Sequence, residues 1–157
     1  MVTAAWLKNT ELFSVLEEIQ LGVILSRSSI ESFPQGRTIF HQGDEAHRLY
    51  VLIEGTVTLA VETGEKIDMM TSTIDKEGAI FGMPCLLEPF RYNVTATCLK
   101  PSKVLIIAAD QMIKLIEQDP KMGMEIMRKL ASIYFKRLNE MREGVSKLLK
   151  VFKFKTP

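Results

Sequence analysis

The sequence predicts a mainly β fold with α elements: an antiparallel sandwich or barrel between short N-terminal helices and one long C-terminal helix. Two observations carry this. From Ile30 to Ile107 the chain alternates short runs rich in Ile, Val, Thr, Tyr and Phe with turn signals about every 8 to 12 residues, the texture of antiparallel strands. After Ala109 the apolar period becomes helical. With 157 residues, 46% apolar and 25% charged, the chain reads as one globular domain. A domain of that length buries about 70% of its unfolded surface and needs no metal or disulfide.

In order, Thr10 reads as an N-cap for a helix carrying Leu12, Phe13, Val15 and Leu16. A second apolar cluster, Ile19, Leu21, Val23, Ile24 and Leu25, ends at Arg27-Ser28-Ser29. Helices are therefore expected over 1–30 and the β unit over 31–109. Strands are expected near 37–41, 48–54, 56–62, 66–74, 92–99 and 103–108. The segment Phe81 to Tyr92 interrupts the rhythm with two prolines and is too long for a hairpin loop, which marks it as a candidate functional loop. Helices follow over 110–150: a short one over 110–117, then a long one that starts at Asp119-Pro120 as N-cap and first-turn proline and runs to about Leu149. Met127, Ala131, Tyr134, Leu138, Met141, Val145, Leu148 and Phe152 alternate four and three apart, the spacing of a two-helix seam. Ile126, Leu130 and Ile133 form a second stripe only in its first half, which fits a helix lying on the barrel early and meeting another helix later. A single amphipathic helix folded back on its own domain is the alternative. Gly144 weakens the helix by about 1 kcal/mol relative to Ala and permits a bend.

Several classes of function are not expected. No apolar run reaches the roughly 18 to 20 residues of a membrane span, and the N-terminus lacks the basic flank of a signal peptide, so a cytoplasmic protein is predicted. Cys85 and Cys98 lack metal or redox spacing and read as free thiols. His41 and His47, with Asp44 and Glu45 between them, read as a solvated turn rather than a metal site. No nucleophile triad, paired-carboxylate signature or phosphate loop is present, and an enzyme is not expected.

The stretch from Phe33-Pro34-Gln35-Gly36, through Gly43-Asp44, to Tyr50 and Glu54-Gly55 closely resembles the start of cyclic-nucleotide-binding domains, with Gly36, Gly43 and Gly55 at turns of the family's jelly-roll β-barrel. The resemblance extends over about residues 10 to 150. It implies a sensor domain of the catabolite activator (Crp/Fnr-like) type, with a C-terminal helix that makes a homodimer. In that group a DNA-reading helix-turn-helix domain of about 70 residues follows the helix. Eight residues follow Leu149 here, so no direct DNA binding is expected.

The resemblance also locates a phosphate-binding cassette, Phe81-Gly82-Met83-Pro84-Cys85-Leu86-Leu87, followed by Arg91-Tyr92-Asn93. Members that bind nucleotide use a glutamate for the ribose hydroxyl, free N–H groups of a short helix for the cyclic phosphate, and an arginine for its charge. Here Met83 takes the glutamate position and Pro84 lacks an N–H. Counting from either side puts Tyr92 in the arginine slot and Asn93 after it, whereas a loop one residue shorter would bring in Arg91. A standard cyclic nucleotide (cAMP or cGMP) therefore competes with a degenerate pocket or another small anionic ligand. Two hypotheses follow: a ligand-sensing regulatory module, or a ligand-independent scaffold dimer that recruits a protein partner.

The formal charge of +1 conceals an asymmetry. Residues 1–120 carry ten Lys and Arg against sixteen Asp and Glu, and residues 121–157 carry ten against three. The acidic barrel makes an unassisted anion harder to hold. The basic tail over 151–157, with Lys147 and Lys150 before it, reads as a solubilised helix end or a grip for acidic protein or lipid.

Overall fold

The computed structural model describes residues 2–64 and 72–153. Two four-stranded antiparallel sheets face each other, one in the order β1-β8-β3-β6 and the other β2-β7-β4-β5. The strands are β1 Ser29–Phe33, β2 Thr38–Phe40, β3 Arg48–Glu54, β4 Val57–Ala60, β5 Ser72–Ile74, β6 Ile80–Phe81, β7 Thr95–Cys98 and β8 Ser102–Ala108. The helices are α1 Ala4–Lys8, α2 Glu18–Ser26, α3 Ala109–Gln118 and α4 Pro120–Lys153.

The centre of the first sheet is the β3–β8 pair, in register from Arg48↔Ala108 to Leu52↔Val104. Leu49 to Leu52 and Val104 to Ile107 are all buried, the continuous run of a strand covered on both faces. The predicted strands have counterparts, although residues 66–71 of the expected 66–74 strand lie outside the described residues. Gly36, Gly43 and Gly55 do sit at positive φ, at 85°, 91° and 106°.

Two strands were not expected. β1 straddles the expected junction between the helices and the β unit, ahead of the first expected strand; it is an edge strand whose first four residues are exposed, so its sequence, Ser-Ile-Glu-Ser-Phe, shows no buried alternation. Such an edge is guarded by polar side chains. β6 has two residues, too few for a period. The N-terminal helices also differ. Thr3, whose Oγ1 accepts from Trp6 N at 3.1 Å, caps α1, while Thr10 is buried and its hydroxyl donates to Leu7 O at 2.6 Å. The segment after Thr10 forms only a 3₁₀ turn, Phe13–Val15.

The expected start of the long helix is present: Asp119 Oδ1 accepts from Met122 N at 3.2 Å, with Pro120 in the first turn. A Cβ on Gly123 would stand 2.9 Å from Ile116 O, so this glycine permits the close corner between α3 and α4. Helix α4 runs unbroken through Gly144 to Lys153. Ile126, Leu130 and Ile133 are buried in the core, whereas Leu138, Met141, Val145 and Leu148 are exposed by 42 to 45%. The two stripes thus separate along the helix.

This packing predicts a contrast. Ile126→Ala lowers the unfolding free energy by about 2 to 4 kcal/mol, because the cavity it leaves cannot collapse fully. Leu149→Ala, at an exposed position, changes it by less than about 0.5 kcal/mol. Urea denaturation of both variants checks the pair; equal losses would mean that the two halves of α4 are supported alike.

Candidate functional site

The cassette begins where β6 ends. Gly82 has φ +79°, and a Cβ there would meet the Tyr50 ring at 2.9 Å and Arg48 O at 3.0 Å. Only glycine lets the chain turn this tightly against β3. Met83–Leu86 then form a single 3₁₀ turn. Its amides are poorly placed to cradle an anion, since Pro84 has no N–H and the Cys85 N–H donates to Gly82 O at 3.3 Å.

Four aromatic rings close the interior beneath the turn. Phe40 stacks on Tyr92 at 3.8 Å between centroids, Tyr50 stacks on Phe81 at 5.0 Å, and Phe40 and Tyr50 lie 5.6 Å apart. The Tyr92 hydroxyl donates to Arg48 O at 2.8 Å and accepts from Arg48 N at 3.3 Å. Burial raises the Tyr92 and Tyr50 phenols above their ordinary range. They are neutral hydrogen-bonding groups at physiological pH.

Above this aromatic floor lies a cavity of about 210 Å³, lined by Phe40, Leu59, Val61 and Ser72, by Gly82, Met83 and Pro84, by Tyr92, Asn93 and Val94, and by Tyr134, Arg137, Leu138 and Met141 of α4. Five of the eight cassette candidates line it: Gly82, Met83, Pro84, Tyr92 and Asn93. Phe81 and Cys85 are buried in the core behind it. Arg91 lies elsewhere. It forms an isolated bridge with Glu45, and its Nη1 donates to Gly43 O at 3.0 Å on the exposed outer turn. Of the seam residues, Tyr134, Leu138 and Met141 wall the cavity, while Met127, Ala131, Val145 and Leu148 are exposed and do not.

Sequence reasoning missed Arg137. Its side chain is 22% exposed, its Nη2 donates to Ile80 O, and it pairs with Glu11 Oε1 at 3.3 Å. Burial pulls the guanidinium down from its ordinary value, and the neighbouring Glu11 carboxylate opposes that. Charge was the available signal: among the described residues Arg137 is the only charged group in the cavity wall, on the basic arm of the chain. Burial likewise raises the Tyr134 phenol to about 12.

His41 and His47 are exposed, and the His47 ring lies 3.2 Å from Glu45 Oε2. Among the described residues no three His, Cys, Asp or Glu side chains form a metal-sized group. No helix among them is long and apolar enough to cross a membrane.

Comparison with known proteins places this geometry. The family profile described as cyclic nucleotide-binding domain matches residues 30–119. The global nitrogen regulator of Nostoc sp. is 31% identical over 107 residues, 66% of this chain and 47% of the relative. The cyclic AMP receptor protein of Thermus thermophilus is 27% identical over 134 residues, 85% of this chain and 60% of the relative. The chain thus spans about half the length of the curated relatives it matches. A solved structure, that of a candidate cyclic nucleotide-binding protein from Geobacter metallireducens, superposes with a TM-score of 0.76 at 29% identity, covering 88% of this chain and 99% of that one.

The buried thiol yields a prediction. Burial pushes Cys85 from 9.0 up to about 12, so the native state holds the proton that the unfolded chain releases. The stability this contributes is complete below pH 9.0 and is lost as pH climbs towards about 12. Ellman's reagent is expected to leave Cys85 unmodified at pH 8 until guanidinium unfolds the protein. Rapid modification of the native Cys85 at that pH would show that the cassette opens readily.

Proposed function

Since the chain belongs to the cyclic nucleotide-binding domain family, we propose that it is a regulatory small-molecule-sensing module with altered ligand specificity, which signals through α4 as a homodimer. The observation that carries this reading is the shared wall of the cavity: the cassette forms one side and Tyr134, Leu138 and Met141 of α4 form the other. A molecule entering there touches the loop and the helix together. Movement of either is then felt by the other, since packed elements shift as units rather than deform smoothly.

The same wall argues against tight binding of cAMP or cGMP. Met83 offers no acceptor for a ribose hydroxyl, and Arg91 is engaged at the outer turn. The Tyr92 ring lies on Phe40, in the place the resemblance assigns to arginine. Two charge-assisted hydrogen bonds at about 1.5 to 3 kcal/mol each correspond to roughly 10²-fold to 10⁴-fold in affinity. The second reading, a ligand-independent scaffold dimer that recruits a protein partner, is favoured by the Tyr92 hydroxyl, which already has both of its partners on the Arg48 backbone.

For the dimer, the argument is the four-and-three spacing of Leu138, Met141, Val145 and Leu148 on a continuous helix that leaves them exposed in the monomer. A second copy of the same helix covers such a stripe in register.

Titration calorimetry and thermal shift with cAMP, cGMP and cyclic dinucleotides test the sensing reading. Cyclic AMP and cyclic GMP are expected to give no heat or stabilisation at micromolar concentration, and dissociation constants at or above about 1 mM; tight binding of either would remove the altered-specificity reading. Sedimentation is expected to show a dimer for the wild type and a monomer for Leu138→Lys. A wild-type monomer at roughly 50 µM would remove the seam.

A further inference from the structure

One residue, Ile80, joins the N-terminal segment, the cassette strand and α4 through its backbone N–H and C=O. Ile80 N donates to Glu11 Oε1 at 2.8 Å, and Ile80 O accepts from Arg137 Nη2. The same Nη2 reaches Glu11 Oε1 at 3.3 Å. An ion pair between residues 126 apart in sequence thus brackets the residue that leads into Phe81 and Gly82. Glu11 lies between α1 and the 3₁₀ turn, so the bracket also pins the N-terminal helices to α4.

Glu11 holds this guanidinium incompletely. Both hydrogen bonds of Arg137 leave from Nη2, and among the described residues Nη1–H and Nε–H have no protein acceptor. Arg137 also belongs to the cavity wall, where its neighbours Leu138, Met141, Met83 and Leu59 are apolar. A carboxylate on a guanidinium prefers two parallel N–H bonds, which the single contact from Glu11 does not supply.

We propose that the cavity takes an organic monocarboxylate with an apolar body, whose carboxylate displaces Glu11 from Arg137, so that ligand and N-terminal segment compete for one guanidinium. This rests on the sensing reading and names both the ligand chemistry and the element that is released. An incoming monoanion exchanges for the Glu11 carboxylate and keeps the site neutral. A second charge on the ligand would lie unpaired against apolar wall. Once Glu11 leaves, the Ile80 N–H loses its acceptor, and the segment from α1 through the 3₁₀ turn loses its tie to Arg137 of α4 and one tie to the barrel, keeping the bond from Trp6 Nε1 to Glu77 Oε1 at 2.7 Å.

The probe is octanoate, with neutral octanamide as its isostere, titrated calorimetrically into the wild type, Glu11→Gln and Arg137→Gln, with amide hydrogen exchange followed over residues 4–16. Octanoate is expected to bind the wild type more tightly than octanamide. It should bind Glu11→Gln about tenfold more tightly than the wild type, since the competing charge is gone. Arg137→Gln should abolish the preference for the acid, and octanoate should speed exchange over residues 4–16 of the wild type. Equal binding of octanoate and octanamide, unchanged by Glu11→Gln, overturns the exchange while leaving a ligand-sensing cavity standing. Octanoate binding that Glu11→Gln leaves unchanged or weakens overturns the competition. Absence of octanoate binding to both wild type and Glu11→Gln overturns the proposed ligand class, and the nucleotide titrations then bear on the sensing reading separately.

Discussion

The aromatic contact between the two sheets is the constraint on which the site depends. Phe40 comes from the β2-β7-β4-β5 sheet, Tyr50 and Phe81 from the opposite one, and Tyr92 from the loop ahead of β7. Their stacking fixes how far apart the sheets stand where the cassette crosses between them. Because the Tyr92 hydroxyl is bonded to both polar groups of the Arg48 backbone, the ring cannot leave without breaking both of these part-buried hydrogen bonds. The cavity floor is therefore a fixed surface, and variation in what the cavity accepts falls to its walls.

Those walls differ in character. The cassette side is backbone-limited: Gly82 has no room for a Cβ, Pro84 has no donor, and Cys85 has spent its own. The α4 side presents side chains, including the one cation that the described residues place in the wall. Under the proposed ligand chemistry, a polar group in this cavity is met by the arginine of α4 rather than by a turn in which Pro84 and Cys85 offer no free N–H. In members of the family that hold a cyclic phosphate on the cassette, the resemblance places the charge on the loop instead.

Much of the fold was legible because its cues are local. Turn glycines, the Asp119-Pro120 start and the double stripe of α4 depend on neighbours in sequence, and each has its counterpart in the structure. β1 escaped because an exposed edge strand leaves no hydrophobic pattern, and Thr10 misled because a cap and a buried hydroxyl bonded back to its own turn use the same residue type. For the site, the register that put Tyr92 rather than Arg91 towards the interior came from counting, and in the structure Tyr92 lines the cavity while Arg91 does not. Arg137 was invisible to the same counting. Its importance comes from Glu11 and Ile80, which are distant in sequence and meet it only in three dimensions.

Tyr134, Leu138 and Met141 serve as cavity wall and also fall on the four-and-three stripe of α4. If a second chain packs on that stripe, the two kinds of contact draw on the same three side chains and cannot be independent. Linkage then requires reciprocity: whatever a bound molecule does to the association constant, association does in equal measure to the affinity for that molecule. The apparent affinity of the cavity would vary with the abundance of the protein itself, so that the response threshold is set partly by expression level.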